Sequence, residues 1–402
     1  MSYDEPVDQS NVLSDMFAQG FADEPIPGYQ RLHRQCPVVR TEGIFGLPGV
    51  TITKYEDVLW ALKHPEVFSS EDVINIGNEF PLIPLSVDPP EHAQYRRVLD
   101  PQFSPKKMAE LEPEMRKLAN ESIDAFIAAG ACDFHEDYAT PLPSTFFIAL
   151  MGLPMDDLPM FLKFRDDSIR PDAPTEAAQT AIREEAGHAI TRWFEAAIEE
   201  RRAHPDDRLL SMLVHGEVGG RPFTQPELLG ACHLLLLGGL DTVTATLDCM
   251  VTYLARHPDR RRALCADFEL VPPVVEELLR HQTPVMMVPR KIIKDIELGG
   301  VQCVAGDTAT LIIGAANVDA DEFDAADEVH FDRATNRHLA FGGGPHRCLG
   351  SHLARLELRV AIEEFHKRIP EYDIKDGAEI HFSPGIRQAY ELPLVFPPGG
   401  TA

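Results

Sequence analysis

The stretch Phe341–Gly350, FGGGPHRCLG, places one cysteine, Cys348, among four glycines, a proline and two basic residues. Glycine carries no Cβ, so this backbone can pass close to a flat ligand and point its amides at the sulfur. The pattern that follows predicts a helix over 349–369, whose N-terminal amides and macrodipole favour an anion. A cysteine ligates as a thiolate, which needs such surroundings. The stretch therefore predicts a ligating thiolate; the alternative for a lone cysteine is a small buried apolar side chain.

A single thiolate restricts the kind of metal site. No partner cysteine or histidine stands at metal-site spacing from Cys348, which argues against structural zinc. One thiolate can make one axial bond to an iron whose other ligands come from a macrocycle, and its sulfur then favours O–O cleavage. The seven cysteines are scattered and none forms a C-x-x-C pair, which argues against a disulfide framework and suits a reducing cytoplasm.

Composition excludes several classes of partner. The 402 residues carry 37 Lys and Arg against 64 Asp and Glu, a net charge of −27. Such a chain repels phosphate backbones and anionic membranes, so neither nucleic acid nor a membrane is expected. The start, MSYDEPVDQS, lacks the layout of a signal peptide, and the most apolar run, LLLLGGL, is too short to span a bilayer. We expect a soluble, cytoplasmic, monomeric protein.

The organisation of the chain predicts one domain over residues 1–402, mainly α with a small β portion. A β-prone stretch over 38–53 precedes helical patterns that dominate from Tyr55 onwards. The longest helix opens at TQPE, where Thr224 and Glu227 fit a capping box. It can continue to His257, about 34 residues or ~50 Å. No repeat or long linker interrupts the pattern.

The middle of that helix contains GGLDT, residues 238–242. Two adjacent glycines each cost up to ~1 kcal/mol in a helix interior. Close helix packing beside a solvated polar pair is one explanation. A functional opening in the helix is the other.

Several motifs together resemble the cytochrome P450 family. The pattern F-x-x-G-x-[HR]-x-C-x-G is complete at Phe341, Gly344, His346, Cys348 and Gly350. GGLDT resembles the oxygen-activating segment of the family's long central helix. The run DPPEHAQYRRVLDPQF resembles a bacterial haem-facing segment, and an E-x-x-R motif is also present. Three runs, LLLLGGLDTV, HFDR and RIPEY, resemble most closely the soluble bacterial branch that includes the camphor hydroxylase.

The resemblance implies a haem b cofactor and a role for each matched residue. Cys348 is then the axial iron ligand, with O2 as co-substrate. Thr242 would hold the hydrogen-bond network around oxygen, and Asp241 would relay protons from solvent. A valine, Val243, stands where many relatives carry a second threonine. The implied haem-binding residues are His92, Arg96, Gly238, Gly239, Arg290, Phe341, Gly342, His346 and Gly350, of which His92, Arg96, Arg290 and His346 would pair with the propionates. The implied structural ion cluster is Glu277, Arg280 and Arg333.

The substrate is predicted to be a small apolar compound, such as a terpenoid, alicyclic or aromatic molecule. The candidate pocket residues are apolar, and core packing is the alternative for each: Phe80, Leu82, Leu234, Leu237, Met286, Met287 and Ile386.

The predicted activity is a monooxygenase that inserts one atom of O2 into a C–H or double bond. Nothing in the chain resembles a flavin or nicotinamide site, so electrons from NAD(P)H would arrive through a reductase and an iron–sulfur ferredoxin. The ferredoxin would dock on a basic patch at the cysteine side, formed by Arg96, Arg97, Lys106, Lys107, Arg347 and Arg355. A peroxide-driven enzyme and a non-catalytic haem sensor are the alternatives.

Overall fold

The computed structural model describes Val12 and residues 16–42 and 48–399. Helices dominate these residues and strands are short, which confirms the predicted fold class. The helices are α1 Gln19–Asp23, α2 Pro25–Gln35, α3 Tyr55–Lys63, α4 His92–Leu99, α5 Pro105–Asp124, α6 Pro141–Met151, α7 Leu158–Ile169, α8 Glu176–Ala203, α9 Leu209–Val214, α10 Gln225–Leu240, α11 Thr242–Arg256, α12 Pro258–Ala266, α13 Val271–Gln282, α14 Ile313–Asn317 and α15 Ser351–Arg368. The strands are β1 Val38–Glu42, β2 Pro48–Ile52, β3 Phe68–Ser69, β4 Ala131–Asp133, β5 Glu217–Val218, β6 Arg221–Pro222, β7 Val288–Ile292, β8 Ile296–Leu298, β9 Val301–Cys303, β10 Thr308–Leu311, β11 Asp373–Ile374 and β12 Pro393–Val395.

The chain divides into two compact units. Unit 1 comprises Met1–Ser69, Ala109–Leu142 and Thr242–Ala402, and unit 2 comprises Ser70–Met108 and Pro143–Asp241. This division does not test whether residues 1–402 form one domain, so the single domain remains a prediction.

Unit 1 contains a five-stranded sheet with the order β1-β2-β10-β7-β3. β10 runs parallel to β2 and antiparallel to β7. Val50 and Ile52 of β2 pack in a hydrophobic core with Val58 and Leu62 of α3 and with Leu339. Because Leu339 comes just before the cysteine stretch, the sheet and α3 anchor the point where that stretch begins.

Unit 2 is mostly helical, and its longest helices are α8 and α10. The predicted capping box at Thr224 and Glu227 is confirmed, because each side chain bonds to the backbone amide of the other residue. At Gly230 of α10, an added Cβ would lie 2.0 Å from the carbonyl oxygen of Pro81. Glycine is thus required where the loop that holds Phe80 and Leu82 crosses α10.

The central helix is divided rather than continuous. α10 ends at Leu240 and α11 begins at Thr242, with Asp241 between them at φ −112° and ψ −48°. The prediction of one helix to His257 was therefore wrong at Asp241 and ended one residue late, since α11 ends at Arg256. Gly238 and Gly239 lower the helix propensity just before this break. The Asp241 side chain pairs with Arg170.

One stretch of the described residues, Gln225–Arg256, is long and apolar enough to cross a membrane. This stretch is longer than LLLLGGL, the run within it that is too short to span a bilayer by itself. However, 78% of its most apolar window is buried inside the protein, as in the core helix of a soluble protein.

Candidate active site

The cysteine loop, residues 339–350, is folded by its own backbone hydrogen bonds. The amide of Gly342 donates to the carbonyl of Leu339 at 2.7 Å, and the amide of Cys348 donates to the carbonyl of Phe341 at 2.9 Å. Gly342 and Gly344 have φ of +68° and +65°, which side-chain-bearing residues rarely adopt. The helix after the loop begins at Ser351, with Gly350 as its N-cap, two residues later than predicted.

Gly344 also allows the loop to approach α3 closely. An added Cβ would lie 2.2 Å from the carbonyl oxygen of Leu62. Any other residue would push the loop away from the helix. The signature glycine at this position is therefore explained by both its backbone angle and its packing.

Cys348 differs from the other cysteines in exposure. It is the exposed one of the seven; five are buried and Cys265 is half-buried. Burial raises the pKa of the thiols of Cys232 to about 12 and of Cys249 to about 11. Such thiols stay protonated and inert. The loop thus presents the accessible thiol of the chain.

An ion cluster supports the loop, with Glu277 and Arg280 buried and Arg333 half-buried. Glu277 is 1% exposed and accepts from Arg280 at 2.8 and 2.9 Å and from Arg333 at 3.1 Å. It also accepts from the amide of His330 at 2.9 Å and from Asn336 at 3.1 Å. Burial alone would raise the pKa of Glu277, but Arg280 and these other donors outweigh it and lower the pKa. The three residues predicted as an ion cluster are in contact.

Hydrogen bonds connect this cluster to the cysteine loop. Arg280 donates to the carbonyl of Asn317 at 2.9 Å. The side chain of Asn317 accepts from the amide of Leu339 at 2.6 Å, and Leu339 accepts from Gly342. The cluster therefore fixes the first residue of the loop.

A second charged group, which the sequence did not reveal, holds the aromatic residue of the signature. The guanidinium carbon of Arg355 lies 4.4 Å from the ring centre of Phe341. Glu276 accepts from Arg355 at 2.6 and 2.8 Å and contacts His338 at 3.0 Å. Burial raises the pKa of Glu276, but Arg355 and His338 bring it down to about 2. The sequence predicts Arg355 either in a structural pair or in the basic docking patch, and the structure shows the pair, with Glu276.

Asp241 lies buried in unit 2 with two arginine neighbours. It is 0% exposed, and Arg170 contacts both of its carboxylate oxygens, one of them at 3.3 Å. Arg165 lies 3.9 Å away and donates to the carbonyl of Leu240 at 3.4 Å. Sequence reasoning missed both arginines. A buried carboxylate demands a cation, but nothing local indicates which one.

The two central glycines differ. A Cβ at Gly238 would meet no atom within 4 Å, so space remains beside it. A Cβ at Gly239 would lie 2.5 Å from the ring of Phe147. Gly239 therefore has a packing reason, which corrects the expectation that both glycines leave room for a ligand. Thr242 begins α11, and its carbonyl accepts from Thr246.

The residues predicted to pair with propionates are divided between the units. In unit 2, His92 is buried, and Arg96 contacts Asp100 at 2.6 Å. Burial, aided by the Arg96 charge, lowers the pKa of His92. In unit 1, Arg290 is 5% exposed on β7, and His346 lies in the cysteine loop. A buried arginine is costly unless an anion or hydrogen-bond acceptor neutralises it.

The predicted pocket residues have different surroundings. In unit 2, the loop with Phe80 and Leu82 crosses the helix that carries Leu234 and Leu237. In unit 1, Met286 and Met287 lie in a hydrophobic core with residues of α2 and α14, and Ile386 forms a β-bridge with Val285. The contacts that the structure shows for both methionines are packing contacts, which corrects their assignment to a pocket.

The donor set fits a haem. Among the described residues, no group of three His, Cys, Asp or Glu could hold a metal ion. The accessible thiol of Cys348 stands in a glycine-rich loop, where backbone atoms rather than side chains border the site. One thiolate completes the coordination of an iron whose other ligands come from a porphyrin.

The comparisons with known proteins agree. A model of the cytochrome P450 family matches residues 174–368. The chain is 33% identical over 386 residues to the steroid C26-monooxygenase of Mycolicibacterium smegmatis, covering 95% of this chain and 94% of that protein. The structure of CYP109E1 from Bacillus megaterium in complex with testosterone has a TM-score of 0.88 at 26% identity, covering 94% and 99% of the two chains. A mutant of P450 EryK in complex with erythromycin B has a TM-score of 0.85 at 31% identity, covering 94% and 98%.

These similar proteins do not support the predicted closeness to the camphor hydroxylase branch. That prediction rested on three short runs, which contain too few residues to separate branches of one family. The family itself is shown by the length and identity of the matches. The chain therefore belongs to the cytochrome P450 family and is a monooxygenase that uses haem iron, O2 and electrons from external redox partners.

Proposed function

We propose that Cys348 is the axial haem ligand of an enzyme that inserts one oxygen atom into an apolar organic substrate. The observation that carries this proposal is the exposed Cys348 thiol in a loop that is fixed by its own hydrogen bonds and by α3. The test is the carbon monoxide difference spectrum of reduced holoprotein. Cys348→Ala should lose the long-wavelength band of thiolate ligation, whereas Cys265→Ala, a half-buried control, should keep it. A retained band in Cys348→Ala would refute the assignment.

The haem-binding roles follow from the family pattern. Phe341, Gly342, His346 and Gly350 would line the haem on the cysteine side. His92, Arg96 and Arg290 would join His346 as propionate partners. Arg290 is buried and donates to the carbonyl of Pro289 at 2.7 Å, and a propionate would add a charge-assisted bond to its guanidinium. Arg290→Leu should lower haem occupancy, measured as the ratio of haem absorbance to protein.

Different residues of the chain would have separate roles in oxygen activation. The haem, when bound, supplies oxygen binding and O–O cleavage, aided by electron donation from the thiolate. Gly238 leaves space beside α10 for oxygen and substrate. The Thr242 hydroxyl would orient the proton that is delivered, and Asp241 would supply that proton. Because Arg170 holds both carboxylate oxygens, Asp241 must leave Arg170 at least partly before it can carry a proton.

The proposed substrate is an apolar compound of about steroid size. The loop of Phe80 and Leu82 and the side chains of Leu234 and Leu237 would form one wall in unit 2. Support comes from similar proteins named for steroid oxidation and for a testosterone complex. The spin-state shift of the haem distinguishes a steroid-sized substrate from a smaller terpenoid. Testosterone should shift the haem spectrum at lower concentration than camphor; the reverse order would favour the smaller substrate.

The electron donor is proposed to be an acidic iron–sulfur ferredoxin, reduced by NAD(P)H through a reductase. Arg97, Lys106, Lys107 and Arg347 are exposed in a chain of net charge −27. Arg355 is removed from this set because Glu276 neutralises it. If attraction steers docking, salt should raise the apparent KM for ferredoxin, and Lys106→Glu with Lys107→Glu should raise it further. A KM that salt lowers, and that the reversal leaves unchanged, would refute steering by these lysines.

A peroxide-driven enzyme is the second candidate. The Asp241–Thr242 pair disfavours it, since a peroxide-driven reaction needs no delivery of two protons. A haem sensor without turnover is the third. Product formation with NADH, ferredoxin and reductase, in the presence of catalase, separates the first candidate from both. A monomer in the cytoplasm is the proposed state.

A further inference from the structure

A cleft of about 650 Å³ opens in unit 1, formed by groups that the proposed function does not use. It lies where α11 meets α12, and the end of α13 and the start of α2 complete it. None of its lining residues belongs to the cysteine loop. Its volume is within the range of small-molecule sites.

One wall of the cleft is aromatic. The rings of Tyr253 and His257 stack at 4.0 Å with an interplanar angle of 18°, and His281 meets Tyr253 edge-on at 5.9 Å. Gln282 donates to Nδ1 of His281 at 2.9 Å, so Nε2 carries the proton and donates to the carbonyl of Asp327 at 2.9 Å. Burial lowers the pKa of His281 to about 4, which keeps it neutral at pH 7. Flat rings suit a flat aromatic guest.

Two cations of the cleft have no ion-pair partner among the residues that the structure describes. Arg256 and Arg260 are exposed, and neither forms an ion pair with any residue of the described ranges. The guanidinium carbon of Arg260 lies 5.7 Å from the ring centre of Phe331. Unpaired arginines in a chain of net charge −27 are available for an anion.

The carboxylates of the cleft are mostly engaged. Asp23 accepts from His381 and from a backbone amide, both at 2.8 Å. Asp327 accepts from Gln30 at 3.1 Å, and Glu328 lies 3.3 Å from a histidine. Glu24, Asp327 and Glu328 are exposed to solvent, which screens their charges. An entering anion would therefore meet two arginines without ion-pair partners, and carboxylates that are hydrogen-bonded or screened by solvent.

A buried hydroxyl group of the cleft lacks a partner. Thr252 is 2% exposed, and its Oγ1 has no hydrogen-bond partner among the described residues. An unsatisfied buried polar group costs about 1–3 kcal/mol. Thr252 and Arg256 are four residues apart on α11, so they face the cleft from the same side with a rise of ~6 Å. A ligand with a hydroxyl group at one end and an anionic group at the other would supply a partner for both residues.

From these groups we infer that the cleft is a second binding site, for a flat aromatic carboxylate that carries a hydroxyl group at its far end. The carboxylate bonds to Arg256 and Arg260. The ring system lies against Tyr253, His257 and His281. The hydroxyl group of the ligand completes the hydrogen bonding of Thr252.

The test is calorimetric titration of the holoprotein with 6-hydroxy-2-naphthoate and with 2-naphthoate. Saturating imidazole occupies the haem iron throughout, so that binding beside the haem is suppressed. The hydroxylated probe should bind more tightly than the other. Arg256→Glu should weaken both probes at least tenfold, while Lys294→Glu, an exposed charge reversal outside the cleft, should change neither.

Thr252→Val tests the hydroxyl contact separately. This variant should bind both probes with similar Kd, so the preference for the hydroxylated probe is lost, while the affinity for 2-naphthoate stays within about twofold. Unchanged far-UV circular dichroism and thermal midpoint show that the variants remain folded. Absence of binding at low millimolar probe overturns the inference. The same Kd in Arg256→Glu as in wild type, or a preference that survives Thr252→Val, also overturns it.

Discussion

Two buried carboxylates of this protein, Glu277 and Asp241, have opposite surroundings although both are paired with arginine. Glu277 accepts hydrogen bonds from four different residues, and its arginines are themselves bonded to backbone carbonyls. Asp241 depends mainly on Arg170, whose side chain is 18% exposed. A charge with many fixed partners is held permanently. A charge whose nearest partner reaches solvent, and whose second arginine lies 3.9 Å away, can change partners, as proton delivery requires.

The largest effect is expected for Glu277, the carboxylate that is held permanently. Glu277→Gln leaves Arg280 buried without its counterion, which costs about 3–5 kcal/mol. The urea midpoint should fall strongly, and the haem should be lost with it, because Arg280 holds the start of the cysteine loop through Asn317.

The control is Glu363→Gln, which removes a partly exposed carboxylate of a different ion network, between α5 and α15. It should keep its haem. Equal stability of Glu277→Gln and wild type would contradict the permanent role.

The second prediction concerns the exchangeable carboxylate. Asp241→Asn should slow oxygen consumption by about 10²-fold, since loss of a positioned proton donor costs 10²–10⁴. Thr242→Ala should instead keep oxygen consumption and divert it to hydrogen peroxide, so that product per NADH falls. Both are read from steady-state NADH, peroxide and product.

Arg170→Gln sharpens this second prediction. It removes the main partner of Asp241, so the rate of oxygen consumption should change if Asp241 delivers protons. An unchanged rate in both Asp241→Asn and Arg170→Gln would remove Asp241 from proton delivery.

The difference between the two carboxylates also shows what sequence can predict. Glu277 and Arg280 are three residues apart on one helix, so their contact follows from helical spacing. The capping box and the glycines of the cysteine loop are equally local. Asp241 and Arg170 are 71 residues apart, and only tertiary placement brings them together.

The same limit explains the other errors. The interruption at Asp241 depends on the contacts of its side chain as well as on the glycine pair. Met286 and Met287 follow a helix and face a core built by α2 and α14, which are distant in sequence. For Arg355 the sequence leaves structural pairing and partner docking both open, because its partner Glu276 is 79 residues away along the chain.

Glu276 is intermediate in exposure and in the number of its partners. It is 30% exposed and pairs with Arg355 and His338. Its pKa is about 2 in the folded protein and near 4.5 when unfolded. Its contribution to stability is therefore present above pH 4.5 and is lost as the pH falls towards 2. Glu276→Gln should lower the free energy of unfolding by about 1–2 kcal/mol at pH 7, after allowance for solvent screening.

The check is the pH dependence of this difference. The gap between wild type and Glu276→Gln should narrow below pH 4.5 and approach zero near pH 2. Because Arg355 lies on the ring of Phe341, the variant should also shift the reduction potential of the haem. A gap that is independent of pH would mean that packing, and not charge, is what Glu276 supplies.

The smallest effect is expected for Glu371, which is 47% exposed and contacts Arg261 at 3.1 Å. Arg261 is almost fully buried, but it also donates to the carbonyls of Pro370 and Leu254 and lies 4.2 Å from the ring centre of Tyr372. Glu371→Gln should therefore lower the free energy of unfolding by less than about 1 kcal/mol, and added salt should reduce the difference further. Arg261→Leu should cost more, because it removes the backbone bonds as well. If Glu371→Gln were as damaging as Glu277→Gln, exposure and the number of alternative partners would not determine how firmly this protein holds a charge.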